Sequence, residues 1–238
     1  MARRTKEEAL ATRHRLLDAA ELLFQAHGVS QTSLQQIAHE AGATRGAIYW
    51  HFKDKADLFN AMMERVTLPF EAATRAAGNA DRDPLAELEH AIVAMLRRTA
   101  QDAQVRRVFD IATHMVEYTG EMASLRERHL AAREACVADF ERALTHGARR
   151  AALRLPISAR AAAQGMHALL SGLVQNWLLE PGAFELVRAG RRSLRVYLAG
   201  LGLRDNAQLP RTHPRRVAHP KTTLSRRIST DRIRPSEG

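Results

Sequence analysis

Apolar residues recur along this chain at the spacing of helix faces, three or four positions apart. The segment from Leu85 shows the pattern, with further apolar side chains at Leu88, Ile92 and Leu96. No stretch shows the alternation typical of strands, so the chain is predicted to be all-α. Start and stop signals divide it into nine predicted helices, over residues 5–27, 33–41, 45–51, 55–76, 84–99, 103–118, 122–151, 159–179 and 184–201.

Two short helices joined by a tight turn follow the first long helix. Thr32 and Gln35 predict a capping box for the first, and Thr44 a cap for the second. Gly42 lies where the chain must reverse, which suits a residue that adopts positive φ freely. The second helix buries Ile48 and otherwise presents Arg, Tyr, Trp and His side chains. This is the arrangement of a helix-turn-helix, whose second helix enters the DNA major groove.

The positive net charge agrees with a polyanionic partner, although part of the basic excess lies in the C-terminal segment. The 238 residues are 45% hydrophobic and 5% aromatic, with a net charge of +10. Residues 205–238 hold eight basic against three acidic residues and four prolines. We expect this segment to be a disordered basic tail, either solvated or adding nonspecific DNA affinity.

The remaining composition points to a cytoplasmic protein. The single cysteine, Cys136, excludes an intrachain disulfide framework and lies in a helical pattern, so a packed thiol is expected. No apolar run reaches the roughly 18 residues of a membrane span, and the basic N-terminus lacks the apolar core of a signal peptide. We therefore expect a cytoplasmic location and no membrane partner.

The N-terminus offers a further set of basic residues. Thr5 and Glu8 predict a capping box at the start of the first helix. Arg3 and Arg4 precede it, and their position before a helix-turn-helix suits phosphate or minor-groove contact as well as ordinary solvated charge.

The first 60 residues closely resemble the TetR family of bacterial transcriptional repressors. The resemblance rests on ARRTKEEA, on LLDAAELLFQAHGVSQTSLQQIAHEAGATRGAIYWHFKDKADLF and above all on YWHFKDK. TRGAIYWHF after RRTKEEA is most similar to AcrR-type repressors, which control multidrug efflux-pump genes. The rest of the chain is similar in helix layout only.

This resemblance implies a homodimer that binds a palindromic operator in double-stranded DNA. It implies a helix-turn-helix DNA-binding domain over residues 1–53, an effector-binding and dimerisation domain over 54–204, and a tail over 205–238. The matching motif positions would contact DNA: Thr32, Ser33, Thr44, Arg45, Gly46, Tyr49, Trp50, His51 and Lys55.

The chemistry of these residues agrees with that assignment. Arg45 could pair with guanine O6 and N7, while Tyr49, Thr32 and Lys55 suit phosphates. Trp50 could instead pack against the first helix, and His51 could be a satisfied interfacial histidine.

A helical body of this family also implies a pocket and a dimer interface. The helices over 159–179 and 184–201 (helices 8 and 9 of the family) would form the interface, and small residues would permit close approach at Ala161, Ala162, Ala163, Gly165 and Gly172. Polar and apolar candidates for binding a hydrophobic effector, such as a drug or phenolic compound, are Asp110, His114, Met95, Phe109, Met166, Ser171, Gln175 and Trp177. Asp110 and His114 could equally be a surface pair, and Ser171 a packing residue.

Other classes of function find less support. His39 and Glu40 lack a second histidine at the spacing of a zinc protease, and no phosphate loop, dinucleotide fingerprint or nucleophile turn occurs. We expect no catalysis, no cofactor and no metal. An architectural DNA-binding protein would not need so long a helical body. An activator, or a regulator of other metabolic genes, would use the same parts as an efflux repressor.

Overall fold

The computed structural model describes residues 2–80, 83–117 and 123–204, apart from the side chains of residues 2–4 and 123. The helices in these ranges are α1 Ala2–His27, α2 Leu34–Glu40, α3 Arg45–His51, α4 Lys55–Gly78, α5 Pro84–Gln101, α6 Ala103–His114, α7 Ala123–Arg150, α8 Ala159–Leu179 and α9 Leu186–Gly200. No strand occurs in them, which confirms the all-α prediction. The predictions for Arg3, Arg4, residues 118–122 and the tail concern parts outside this description.

Two helices have the bounds that their capping residues predict. Thr44 Oγ1 accepts a hydrogen bond from the Ala47 amide at 3.1 Å and begins α3. Ser158 Oγ accepts one from the Ala161 amide at 3.2 Å and begins α8. Gly42 has the predicted positive φ, at 61°. These signals are local, so neighbouring sequence is enough to place both helix starts.

Two capping predictions are wrong. Helix α1 already begins at Ala2, so Thr5 lies inside it. Helix α2 is capped by Ser33, whose capping box uses Gln36. Thr32 is buried, and its hydroxyl donates to the Gly28 carbonyl at 2.8 Å. Thr32 therefore holds the turn before α2 and is not its cap.

Helix α6 is shorter than predicted, ending at His114 where Tyr118 was expected. The carbonyl of Met115, directly after it, accepts a hydrogen bond from the Val29 amide at 3.2 Å. The chain thus leaves the helix where it joins the turn after α1. Helical periodicity within α6 could not predict this end, because it depends on a contact with a segment distant in sequence.

The buried residues form two hydrophobic clusters. The first unites α1, α2 and α3 with the N-terminal half of α4, with α6 and with Leu125 of α7, and so crosses the predicted boundary at residue 53. The second unites α5, α7, α8 and α9 with Ala77 near the end of α4. Phe109 of α6 packs against both clusters. The helix-turn-helix therefore shares its core with the helices that lead into the body.

Helices α8 and α9 pack closely within one subunit. The Tyr197 hydroxyl donates to the Ala162 carbonyl at 2.8 Å, and Gly165 leaves the room in which that phenol lies. Ala162 and Ala163 are fully buried in the second cluster. These small residues thus serve the subunit's own core, while Ala161 remains exposed.

Cys136 is a packed thiol, as the helical pattern predicts. Burial and the nearby carboxylates of Asp139 and Glu71 raise its pKa to about 12, so it stays protonated at neutral pH. Among the described helices, none is long and apolar enough to cross a membrane.

Candidate nucleic-acid interface and internal cavity

Helix α3 exposes the side chains that its sequence suggested. Tyr49 is 50% exposed and Trp50 is 73% exposed, while Ile48 is buried as predicted and Phe52, directly after the helix, is buried too. The alternative in which Trp50 packs against α1 is therefore wrong. Thr44, Arg45 and Gly46 are also exposed, so the start of α3 offers a continuous polar and aromatic surface.

Interactions among these side chains set their charge and orientation. The Arg45 guanidinium lies over the Tyr49 ring, 5.9 Å from its centre. Burial first, and then the positive charge of Arg13, lower the pKa of His51. His51 is therefore neutral at pH 7 and can hydrogen-bond but adds no charge. Arg13 of α1, 5.2 Å from the Phe52 ring centre, is a neighbour that the motif alone did not indicate.

Lys55 occupies an interior position that its sequence did not predict. Only 6% of it is exposed, and its ammonium group donates to the carbonyls of Thr32 at 3.0 Å and Ser30 at 3.2 Å. The lysine thereby joins the start of α4 to the turn before α2. This position corrects the assignments of Lys55 and Thr32 to phosphates, because both side chains are turned inward. Ser33 remains exposed, with its hydroxyl engaged in the α2 cap.

Replacing Lys55 with alanine should lower the free energy of unfolding by about 1–3 kcal/mol, since two inward-facing carbonyls lose a charged donor. The midpoint of urea denaturation measures this. The matched control is Lys53→Ala, which removes an exposed lysine two positions earlier and should change stability little. Unchanged stability of Lys55→Ala, together with weaker binding to all DNA sequences alike, would favour the phosphate assignment instead.

A cavity of about 90 Å³ lies between α4, α5 and α6. Its walls are Val66, Pro69, Phe70, Ala73, Ala91, Ala94, Met95, Arg98, Val105 and Phe109. Val66 and Val105 belong to the first hydrophobic cluster, and Phe70 and Met95 pack against the second. The cavity therefore lies where the two clusters meet. It is smaller than the roughly 300 Å³ at the low end for ligand pockets.

The structure brings two of the eight predicted effector-binding residues to this cavity, Met95 and Phe109. Met166 is fully buried in the second cluster, and Trp177 is buried with the Arg106 guanidinium 5.8 Å from its ring centre. Neither belongs to the lining.

The four polar candidates lie elsewhere. Asp110 and His114 form the pair one turn apart, with Oδ1 and Nδ1 separated by 2.8 Å. The other nitrogen of His114 is buried and has no partner among the described residues. Ser171 and Gln175 are exposed on α8, a helix that contributes no residue to the lining.

Sequence reasoning missed the other eight lining residues, among them Pro69, Phe70 and Arg98. Each lies on a stripe of helical spacing, such as positions 66, 69, 70 and 73 of α4. The sequence predicts these stripes from helical spacing. Which stripes face one another depends on how α4, α5 and α6 pack.

A buried carboxylate connects α1 to α4 and α6. Glu21 of α1 is 1% exposed. Its oxygens accept from Arg65 of α4 and from Gln104 of α6, at 3.2 Å for the latter, and Arg107 approaches to 3.7 Å. Burial raises the pKa of Glu21, and these partners partly oppose the shift. We call Glu21, Arg65, Gln104 and Arg107 the Glu21 cluster.

The outer face of α8 lacks a partner within the described part of the subunit. Its exposed side chains follow a helical stripe of small and polar residues that ends in an apolar one: Gln164, Ala168, Ser171, Gln175 and Leu179. Leu179 is 68% exposed, and Val196 of α9 is 56% exposed. Large apolar side chains at such exposure are typical of surfaces that associate.

An all-α fold in which a tight turn is followed by the exposed helix α3 is typical of a DNA-binding regulator of the helix-turn-helix type. Residues 16–62 match the family described as bacterial regulatory proteins, tetR family, and residues 83–202 match the C-terminal region of the MAATS-type transcriptional repressors. The chain therefore belongs to the TetR family, which confirms the resemblance seen at its N-terminus.

Individual members of the family are similar to this chain over most of its length. It is 38% identical to the HTH-type transcriptional regulator AcrR of Shigella flexneri, over 83% of this chain and 93% of that protein. The crystal structure of NalD, the secondary repressor of the MexAB-OprM multidrug efflux pump in Pseudomonas aeruginosa, superposes with a TM-score of 0.74. The identity is 36%, over 82% of this chain and 98% of NalD.

A third relative carries a ligand. The SmeT–triclosan complex superposes with a TM-score of 0.74 at 32% identity, over 86% of this chain and 99% of that one. SmeT is the repressor of the Stenotrophomonas maltophilia multidrug efflux pump SmeDEF. The similarity thus extends over the body as well as the DNA-binding helices, and it confirms the AcrR-type resemblance.

Proposed function

We propose that this protein is a dimeric repressor of a multidrug efflux operon of the RND type, released from a palindromic operator by a hydrophobic small molecule. The observation that carries the proposal is the cavity between α4, α5 and α6, because α4 runs from its wall directly into the helix-turn-helix. The efflux repressors NalD and SmeT support the regulated function. Such a regulator would act in the cytoplasm.

The proposed DNA surface consists of exposed residues on and near α3, together with the half-buried His51: Ser33, Thr44, Arg45, Gly46, Tyr49, Trp50 and His51. Arg45 would read a base, while Tyr49 and Ser33 would position the backbone. The proposed dimer interface is the outer face of α8 with the neighbouring face of α9, supported by the exposure of Leu179 and Val196.

The size of the cavity suggests how a ligand would act. At about 90 Å³ it must widen to accept a drug-sized molecule, which would push α4 away from α5 and α6. A ligand that favours the widened state would shift the population toward it.

Two features would direct this movement to the DNA-binding helices. Pro69 interrupts the hydrogen bonds of α4 at the cavity wall, because proline has no amide hydrogen to donate to the Arg65 carbonyl. Arg65 itself contacts Glu21 of α1. A tilt of α4 in both subunits would alter the separation of the two α3 helices, which must lie about 34–36 Å apart to enter successive major grooves.

Mobility-shift titration tests this proposal. With an operator selected from random DNA, we expect a palindrome, and we expect at least one compound from a panel of efflux substrates and phenolic compounds, triclosan included, to release it. Filling the cavity mouth with Ala94→Trp should preserve operator binding and weaken release. The control Ala72→Trp adds the same ring on the exposed face of α4. No release by any member of the panel would contradict the proposal.

A further inference from the structure

We propose that the cavity selects hydrophobic anions, with Arg98 as the residue that recognises the negative charge. This inference rests on the proposed effector function and deepens it, since it names the charge class of the effector. Nine of the ten lining residues are apolar, and Arg98 alone of the ten is charged. The effector would therefore combine an apolar body with one carboxylate or similar acidic group.

The position of Arg98 suits a charged group at the cavity mouth. It lies in the last turn of α5 and is exposed, one turn after Ala94 and beside Met95, which both line the cavity. The aliphatic part of an arginine can cover apolar surface while its guanidinium stays in water. A ligand could therefore bury its apolar body between Phe70 and Phe109 and keep its anionic group at the solvated rim. Full desolvation of the charge is avoided in this way.

The charges near Arg98 leave its guanidinium available. Asp102, one turn further along, directs Oδ1 to the amides of Gln104 at 2.9 Å and Val105 at 3.2 Å, where it caps α6. In the described residues no carboxylate forms an ion pair with Arg98. An acidic ligand would gain an ion pair without displacing one, and a cationic ligand would meet repulsion.

The expected preference is moderate, because the pair stays accessible to water. Exposed ion pairs contribute little, whereas charge-assisted hydrogen bonds at the edge of an apolar cavity contribute more. We expect an anion to bind roughly five- to tenfold more tightly than its neutral isostere, with the ratio falling as salt is added.

Calorimetry with three probes of one skeleton tests the inference: 2-naphthoate, 2-naphthamide and 2-naphthylmethylammonium. The full-length protein should prefer naphthoate, then the amide, then the ammonium compound. Arg98→Gln should make the affinities for acid and amide equal, and Arg98→Lys should retain part of the preference. The control is Arg97→Gln, which removes the same charge from an exposed neighbour outside the cavity lining and should leave the preference intact.

The outcomes separate this inference from the proposed function. Equal binding of all three probes to the wild-type protein, or an anion preference that survives Arg98→Gln, would overturn the role of Arg98 while leaving a hydrophobic effector site in place. Absence of binding by every probe, together with no operator release by the compound panel, would overturn both proposals.

Discussion

Replacing Arg45 with alanine should weaken operator binding on the order of a hundredfold in a dimer. A bidentate arginine–guanine contact contributes about 1–3 kcal/mol of discrimination, and a symmetric operator would lose it in both half-sites. Arg45 is exposed at the first position of α3, with its guanidinium over the Tyr49 ring. Its removal leaves the buried Ile48 and Phe52 in place, so stability should change little. Fluorescence anisotropy with the selected operator measures the loss.

Two variants sharpen the experiment on Arg45. Arg45→Lys keeps the charge but not the planar fork, so it should retain nonspecific binding and lose preference at one base pair. Arg75→Ala removes an exposed arginine near the opposite end of α4 and should leave operator affinity unchanged. If Arg45→Ala bound the operator and its single-base variants as the wild-type protein does, Arg45 would not contact a base of the operator.

Replacing Glu21 with alanine should lower the free energy of unfolding by about 3 kcal/mol, as expected when one partner of a buried ion pair is removed. Arg65 and Arg107 would lose a carboxylate that is 1% exposed. Asp18→Ala is the matched control, because Asp18 binds the same Arg65 at 2.8 Å but is 59% exposed. Asp18→Ala should lower the free energy of unfolding by less than about 1 kcal/mol. If both variants lost a similar free energy of unfolding, burial of Glu21 would not be the reason that the Glu21 cluster stabilises the fold.

The pH dependence of the same site has a definite sign. Burial raises the folded-state pKa of Glu21 above its usual value of 4.5. Between these two pKa values the folded state binds more protons than the unfolded state, so this group's contribution to stability falls as pH rises through the interval. Glu21→Gln cannot ionise, so the stability of the wild-type protein should fall relative to that of Glu21→Gln as pH rises through the interval. Urea denaturation at several pH values measures the difference, and the opposite trend would contradict the raised pKa.

Local signals were sufficient for the turn before α3 and for α3 itself. Thr44, Gly42 and the apolar position at Ile48 specify the turn and α3 through caps and backbone freedom that act within a few residues. The same holds for Ser158 and the start of α8. Family membership also followed from residues close together in sequence, around YWHFKDK.

Packing decided the features that local signals left open. Thr32 and Ser33 are both good caps, and Ser33 takes the role because the Thr32 hydroxyl bonds to Gly28. Helix α6 ends early because Met115 meets Val29. Lys55 turns inward because its ammonium group donates hydrogen bonds to the carbonyls of Ser30 and Thr32. Each choice depends on a partner distant along the chain or on the path of a turn.

The sequence by itself determined that this protein is helical, which short helix carries Arg, Tyr, Trp and His side chains, and which family it belongs to. Only the tertiary structure decided that the cavity lies between α4, α5 and α6, that Arg98 stands at its mouth and that Glu21 joins α1 to the body. The physical reason is that caps and periodicity report interactions over a few residues. A cavity or a buried ion cluster forms where the faces of separate helices meet, and periodicity leaves the pairing of those faces undetermined.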